Sequence, residues 1–435
     1  MKKPKFMIWI YRILFLPIMA VLMPYYAMRM IKRGGYGKDF SHRFGFLKNL
    51  PAPEKNKKRI WIQAVSVGEV EALSSMLKLL HEDGGFEVVV TTTTSTGYKI
   101  LREKYAKYCY YVGIFPFDFW LSNALAWRRI KPDMCVQMEG ELWPEHLHRA
   151  KSKKKPLLLL NARLSDRSFK RYSKAGFFAR RIFNKFDAIA CGSEFDAARF
   201  LKLGAKPEIV SSTGNIKFDA SNSAPLSESE RDALKSEMGF ENDSLVLLGS
   251  STWAGEEEML LESLSEIRQK TGIDARLLLV PRHAERREEV RKLLQGGVLP
   301  FNFRTEKQNA PGGTLVYVAD TTGELARLTQ VADFAYAGKS MPPNDGGQSP
   351  LDCAAAGVAI VYGPNMTNFK KMCESLEEAK ASIKVSDKEN AKGALLKLAK
   401  DVALRKQIGL NALNWHHANS GASVRAFALI KKFSK

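Results

Sequence analysis

The stretch RIWIQAVSVGEVEALSSM, residues 59–76, opens as an apolar run, turns through Ser66, Val67 and Gly68, and sets a carboxylate, Glu69, where a helix should begin. A short apolar run followed by a turn and a helical pattern is the repeating unit of a parallel sheet covered on both faces. The device returns in MCVQMEGELWPEHL, residues 134–147, where a second run stops at Glu139, Gly140 and Glu141 before a Trp-Pro helix start. Proline suits that first turn. Both acids then lie at the carboxyl ends of strands, where open α/β sheets bind their ligands. A first-turn carboxylate also gains about 0.3 to 1 kcal/mol from the helix dipole, so Glu69 has two readings, helix-end residue and cleft residue. Gly68 beside it leaves room for a ligand to approach the backbone.

Around these two stretches the strand-then-helix rhythm repeats. Runs at 59–65, 86–92, 109–114, 133–138, 156–161, 187–191 and 208–212 predict one parallel sheet. A polar stretch at 214–243 interrupts the rhythm, which restarts with SLVLLGSSTWAGEEE, ARLLLVPRHAER, TLVYVADTTGEL and SPLDCAAAGVAIVYGP. The fold class expected is therefore α/β, two doubly wound Rossmann-like domains facing across a cleft, with an N-terminal anchor helix. The boundaries expected are 1–35 for the anchor and connector, 36–215 for the first domain, 216–243 for the link, 244–385 for the second domain, and 386–435 for C-terminal helices packing back over the link.

The chain has 435 residues, with 67 Lys+Arg against 46 Asp+Glu and a net charge of +21. That balance favours an anionic partner. The five cysteines are scattered and no CxxC or HExxH occurs, so they read as reduced core residues. His146 and His148, two apart on a helix, would not face a common ion. No metal and no cofactor are expected. No zinc-finger or RNA-binding motif spacing is present, and nucleic acid is not expected as a partner. The segment from Phe6 to Ile31 is apolar, broken only by Arg12, Pro17, Pro24 and Arg29, with basic residues at both ends. It reads as a retained membrane anchor, spanning or interfacial, with no A-x-A cleavage signal.

The second half carries the anion signals. Arg282, after the strand ending at Pro281, could grip a phosphate bidentately or pair with Glu285 or Glu288. DTTGELARL, residues 320–328, offers Gly323 and Glu324 at a helix start whose free N–H groups could hold a phosphate. NDGGQSPLDCAAAG, residues 344–357, is a glycine-rich turn into a helix carrying Asp352, an acid suited to ribose hydroxyls. In the first half, TTTTSTG at 91–97 is either an anion-binding loop or an ordinary threonine-rich strand end.

The strings AVSVGEVEA, TTTTSTG, FPFD, MEGELWPE, NARLSDRS, GNIKFD, STWAGEEE, PRHAER, DTTGEL and GGQSPLDCAAAG occur in this order. That series resembles the 3-deoxy-D-manno-octulosonic acid (Kdo) transferases of lipopolysaccharide synthesis, from the anchor to about Phe369. The resemblance implies the GT-B fold, CMP-Kdo as donor, no catalytic metal, and transfer to a lipid A precursor, lipid IVA, on the cytoplasmic face of the inner membrane, with an anionic membrane surface as a further partner. It also implies inversion at the anomeric carbon, with Glu69 as the base and Glu139 and Glu141 assisting. The implied donor residues are Arg282, His283, Gly323, Glu324, Gly346, Gly347, Gln348, Ser349 and Asp352. Those on the acceptor side are Ser66, Gly68, Thr93, Thr94, Gly97, Arg163 and Lys217. Two strings depart from the family: Trp253 stands where members commonly carry His, and Gln348 to Asp352 replace His-Asn-Pro-Leu-Glu. The rival readings are a GT-B enzyme using another nucleotide sugar, epimerase-like members included, and a membrane-tethered nucleotide-binding protein without catalysis.

Overall fold

The computed structural model describes residues 6–32, 37–221, 224–307 and 309–435. Residues 1–5 and 33–36 of the expected anchor, connector and first-domain start lie outside these, as do 222–223 of the expected link. The chain forms two compact units, one built from the residues up to Ala220 together with Ser420–Lys435, the other from Ser221–Asn419.

The first unit holds β1 (Lys58–Gln63), β2 (Phe86–Thr92), β3 (Tyr111–Ile114), β4 (Met134–Met138), β5 (Leu157–Ala162), β6 (Ala188–Cys191) and β7 (Val210–Ser212). They make one parallel sheet in the order β3-β2-β1-β4-β5-β6-β7. Strands buried on both faces need apolar residues at every position, and β1 meets this by sending Trp61 into one core and Ile60 and Ile62 into the other. The order reverses between β1 and β4. Their carboxyl ends therefore flank the crevice of a doubly wound sheet, and these ends are followed by Glu69 and Glu139.

The second unit repeats the plan with β8 (Leu245–Thr252), β9 (Ala275–Pro281), β10 (Phe301–Phe303), β11 (Val316–Val318), β12 (Phe334–Ala337), β13 (Ala359–Tyr362) and β14 (Ser382–Lys384). Their order is β10-β11-β9-β8-β12-β13-β14, again all parallel, with the switch between β8 and β12. Helices Lys388–Lys400 and Val402–Asn419 belong to this unit.

The last helix, Ala422–Ser434, returns to the first unit. Ala422, Ala426 and Ile430 join the core beside Ile60 and Ile62. Asp219 accepts from the amides of Gly421, at 2.7 Å, and Ser423, and Lys431 pairs with Asp83 at 2.7 Å.

Candidate active site

In the first unit the turn after β1 is built around one side chain. Ser66 caps the short helix Val67–Ala72, accepting from the Glu69 amide at 3.4 Å. The Glu69 carboxylate folds back to accept from the Val65 amide at 2.8 Å and the Ser66 hydroxyl at 3.1 Å. This resembles a capping box, so the helix-end role is real. It does not account for the environment. Glu69 is 5% exposed, and burial, reinforced by the charges of Glu139 and Glu141, pushes its carboxyl up to about 7 against the opposing Val65 and Ser66 hydrogen bonds. A base with that value is matched to neutral pH. Gly68 is exposed, and a Cβ built on it would meet nothing within 4 Å.

The threonine run supports this turn. Thr92 and Thr93 donate to the Val65 carbonyl at 3.2 and 3.0 Å, and Thr94 caps the helix Ser95–Ile100, accepting from Gly97 at 3.1 Å. A Cβ on Gly97 would stand 2.8 Å from Thr94 Oγ1 and 2.9 Å from Thr92 Oγ1, so only glycine lets this helix close on the loop.

The two acids after β4 part company. Glu139 adopts a left-handed φ of 56°, a conformation costly for a side chain with a Cβ and characteristic of functional turns. Its Oε1 stands 2.6 Å from Lys217 Nζ and 3.9 Å from an Arg163 guanidinium nitrogen. Gly140 brings this turn against β5, since a Cβ there would lie 2.8 Å from the Arg163 carbonyl. Glu141 is exposed. Partial burial of its carboxyl and the Glu139 charge raise it above the usual carboxylate range. Ser66, Gly68, Glu69, Glu139, Glu141, Arg163 and Lys217 thus belong to one set of turns at the switch point.

Two residues of these motifs take roles the sequence did not disclose. Asp118, from FPFD, caps the helix Pro144–Ser152 by accepting from the amides of Glu145 at 2.9 Å and His146 at 3.0 Å. Trp143 at the cap position offers no side-chain acceptor, and a missing cap is the signal that could have found it. Glu145 is fully buried and forked by Arg12. His146 is caged by Trp61, Phe115 and Trp127, with ring centroids 4.7 to 5.4 Å away, and burial lowers its imidazole to about 3. It is a neutral core residue.

In the second unit the switch-point loops are tied by Glu256, which the sequence reading did not single out. Buried in the first turn of Glu256–Thr271, it accepts from the amides of Trp253 (3.0 Å), Lys339 (2.8 Å), Ser340 (3.0 Å) and Met341 (3.2 Å). The signal was three acids at a helix start after a glycine. Around it cations are left outward. Arg282 is exposed, donates its amide to the Thr252 carbonyl at 3.2 Å, and forms no ion pair among the described residues. His283 lies edge-on to Trp253 at 5.3 Å and 3.4 Å from Glu285. The Lys339 ammonium stands 4.8 Å over the Trp253 ring.

Gly346 and Gly347 have φ of 103° and 68°, and a Cβ on either would strike Asn368 or Met366. Gln348 donates its amide to Gly338 at 2.9 Å, Ser349 accepts from the Leu351 amide at 3.3 Å, and Asp352 is half-buried in the helix Leu351–Ala355. Gly323, with φ of 92°, faces open space. Glu324 is committed elsewhere: Arg304 grips it at 2.8 and 2.9 Å and Thr321 donates to it, which holds its carboxyl low although burial acts the other way.

Residues 38–220 match the family model described as 3-deoxy-D-manno-octulosonic-acid transferase (kdotransferase). The 3-deoxy-D-manno-octulosonic acid transferase of Haemophilus influenzae is 28% identical over 425 residues, 97% of this chain and 98% of that protein. The transferase of the same name from Bordetella pertussis is 29% identical over 405 residues, 91% of this chain and 92% of that one. Among solved structures, UDP-GlcNAc 2-epimerase from Neisseria meningitidis bound to UDP-GlcNAc superposes with a TM-score of 0.59 at 12% identity, covering 86% of this chain and all of that one. Anabaena HepE in complex with UDP gives 0.53 at 15% identity, covering 87% and 99%. These two likenesses concern the fold alone, and both units share in the GT-B architecture they display. Residues 38–220 of the chain thus match the family model, and nearly its whole length is similar to curated 3-deoxy-D-manno-octulosonic acid transferases.

Proposed function

We propose that this protein is an inverting, metal-independent glycosyltransferase that moves Kdo from CMP-Kdo to a lipid A precursor such as lipid IVA, on the cytoplasmic face of the inner membrane. The observation that carries the chemistry is Glu69: a buried carboxyl raised to about 7 at the switch point of the first sheet. The Glu69 carboxylate takes the proton of an acceptor sugar hydroxyl while that oxygen forms a bond to the anomeric carbon of Kdo. The bond from this carbon to the CMP phosphate oxygen breaks, and its electron pair leaves on CMP. Attack from the face opposite the leaving group inverts the centre.

The charges of Glu139 and Glu141 make the Glu69 carboxylate more basic, so that it takes up the acceptor proton more readily. Lys217 and Arg163 hold Glu139 in place. In the second unit Arg282 receives the phosphate, helped by the open turn at Gly323, and electrostatic stabilisation of the departing charge supplies much of the acceleration. His283, Gly346, Gly347, Gln348, Ser349 and Asp352 contact the rest of the donor. Metal independence is part of the proposal.

The test is mass spectrometry of a lipid A precursor incubated with CMP-Kdo and the protein, beside Glu69→Gln. A Kdo increment present with wild type and absent with the variant is the expected result. A folded wild type that adds nothing overturns the substrate assignment, and a fully active variant reduces Glu69 to a helix cap.

A further inference from the structure

The N-terminal helix, Phe6–Lys32, contains a stretch, Ile8–Tyr26, with mean hydropathy 1.7 and 6% of it buried, which is the composition of a membrane span. Its contacts give it another orientation. Ile8 is buried. Tyr11 donates to Asp118 at 3.0 Å, and Arg12 forks onto Glu145 at 2.9 and 2.8 Å. Phe15 stacks on Phe119 at 5.5 Å, and Tyr26 meets Phe117 at 5.9 Å. The guanidinium of Arg43 covers both of the latter rings, 5.5 Å from Tyr26 and 4.3 Å from Phe117.

Positions 8, 11, 12, 15 and 26 share one side of a helix with 3.6 residues per turn, and 8 and 26 are five turns, about 27 Å, apart. That length is nearly the ~30 Å thickness of the hydrocarbon layer. A helix crossing the bilayer with these contacts intact would drag Asp118, Glu145 and the 117–119 loop through it, a costly burial of charge. The opposite side presents Ile10, Ile13, Leu14, Val21 and Met28, all exposed and uncharged.

We propose that this helix lies in the plane of the membrane, its outer side sunk into the headgroup and acyl boundary of an anionic leaflet and its inner side clasped to the first unit through Arg12 and Glu145. Charge complementarity supports this occupant. Residues 166–185 carry seven Lys or Arg against one acid. Phe177 and Phe178 are exposed within that stretch, and Lys185 at its end lies within electrostatic reach of Asp118 and Glu145, so the basic edge continues from the clasp. Glu145 follows Glu141 by four residues, and the clasp therefore fixes the depth of the acceptor turns relative to the lipid. The inference rests on the membrane-borne acceptor proposed above and not on the identity of the donor.

The test uses the full chain in sealed vesicles of phosphatidylethanolamine and phosphatidylglycerol. With Lys2→Cys and, as a surface reference, Lys57→Cys, an in-plane helix leaves both thiols open to a membrane-impermeant maleimide from the same side, after subtraction of wild-type labelling. Nitroxides at Ile13→Cys, Val21→Cys and Met28→Cys then share one depth, roughly 5–10 Å into the boundary. Labelling of position 2 only from the side opposite position 57, with depth passing through the bilayer centre, overturns the proposal. A Phe15→Cys/Phe119→Cys cross-link forms in vesicles and is lost on Arg12→Ala but retained with Arg12→Lys; a cross-link that survives Arg12→Ala overturns the clasp. Circular dichroism checks that each variant is folded. Failure to bind vesicles removes the membrane reading altogether, whereas the expected topology without Kdo transfer removes only the substrate assignment.

Discussion

The two units share a plan and treat their strand-end charges in opposite ways. In the second unit the acids are consumed: Glu256 by four backbone amides, Glu257 by Arg286 at 2.7 Å, Glu324 by Arg304. Cations remain outward, with Arg282 exposed and Lys339 over Trp253. In the first unit an acid is kept in hand, Glu69, with no cation on it among the described residues, while Lys217 and Arg163 attend to Glu139. Under the proposed mechanism, one sheet is arranged to remove a proton and the other to receive an anion. A family of chemistries is then reachable by changing which charges are neutralised, without moving a strand.

The hardest blow to this comparison is Glu69→Gln. The transfer rate should fall about 10²- to 10⁴-fold with little change in melting temperature; an unchanged rate would make the two units equivalent. A pH profile sharpens the point. Glu69 acts unprotonated, so the rate should drop about tenfold per pH unit below about 7. Stability runs the other way: a carboxyl whose folded value is raised favours the fold when protonated, and its contribution declines as pH rises from about 4.5 to about 7. Stopped-flow transfer assays and denaturant titrations across that window would show both slopes, and both should vanish in Glu69→Gln.

On the other unit, Arg282→Ala should weaken CMP binding by about 10- to 100-fold, since hydrogen bonds between charged groups contribute about 1.5–3 kcal/mol. Calorimetric titration with CMP measures it, and unaltered affinity would remove Arg282 from the phosphate. The mildest expected effect is on the fold. Glu256→Gln leaves part of the amide cluster unsatisfied and should cost about 2 kcal/mol, a fall of about 4–8 °C in melting temperature. Glu141→Gln, at an exposed position, should alter stability by no more than about 0.5 kcal/mol.

The strands of the first unit were legible because doubly covered strands must be apolar throughout, and the ends of β1 and β4 are marked where Ser66 and Glu139 interrupt the run. Glu69 and Glu139 were legible for the same reason. What escaped was whatever depends on distant partners. The 133 residues between Arg12 and Glu145 leave no periodic trace, nor does the cap that Asp118 lends to another helix. The threonine run was ambiguous because hydroxyls suit a loop brace as well as an anion; in the fold Thr92 and Thr93 donate to the Val65 carbonyl. Arg282 could have been a surface ion pair; Arg286 and Arg287 instead take the nearby acids Glu257 and Asp320.

The return of the last helix has a bearing on how the protein is made. Domains emerging from the ribosome tend to fold in the order of their synthesis, but here the half that emerges first lacks Ala422, Ala426 and Ile430 until the helix Ala422–Ser434 has been made. The second unit can close its core while the first still waits for its final wall. A chain stalled just after residue 419 would hold a complete second unit attached to a first one that still lacks its last helix. Commitment of the first unit to its native state is thereby tied to synthesis of residues 420–435.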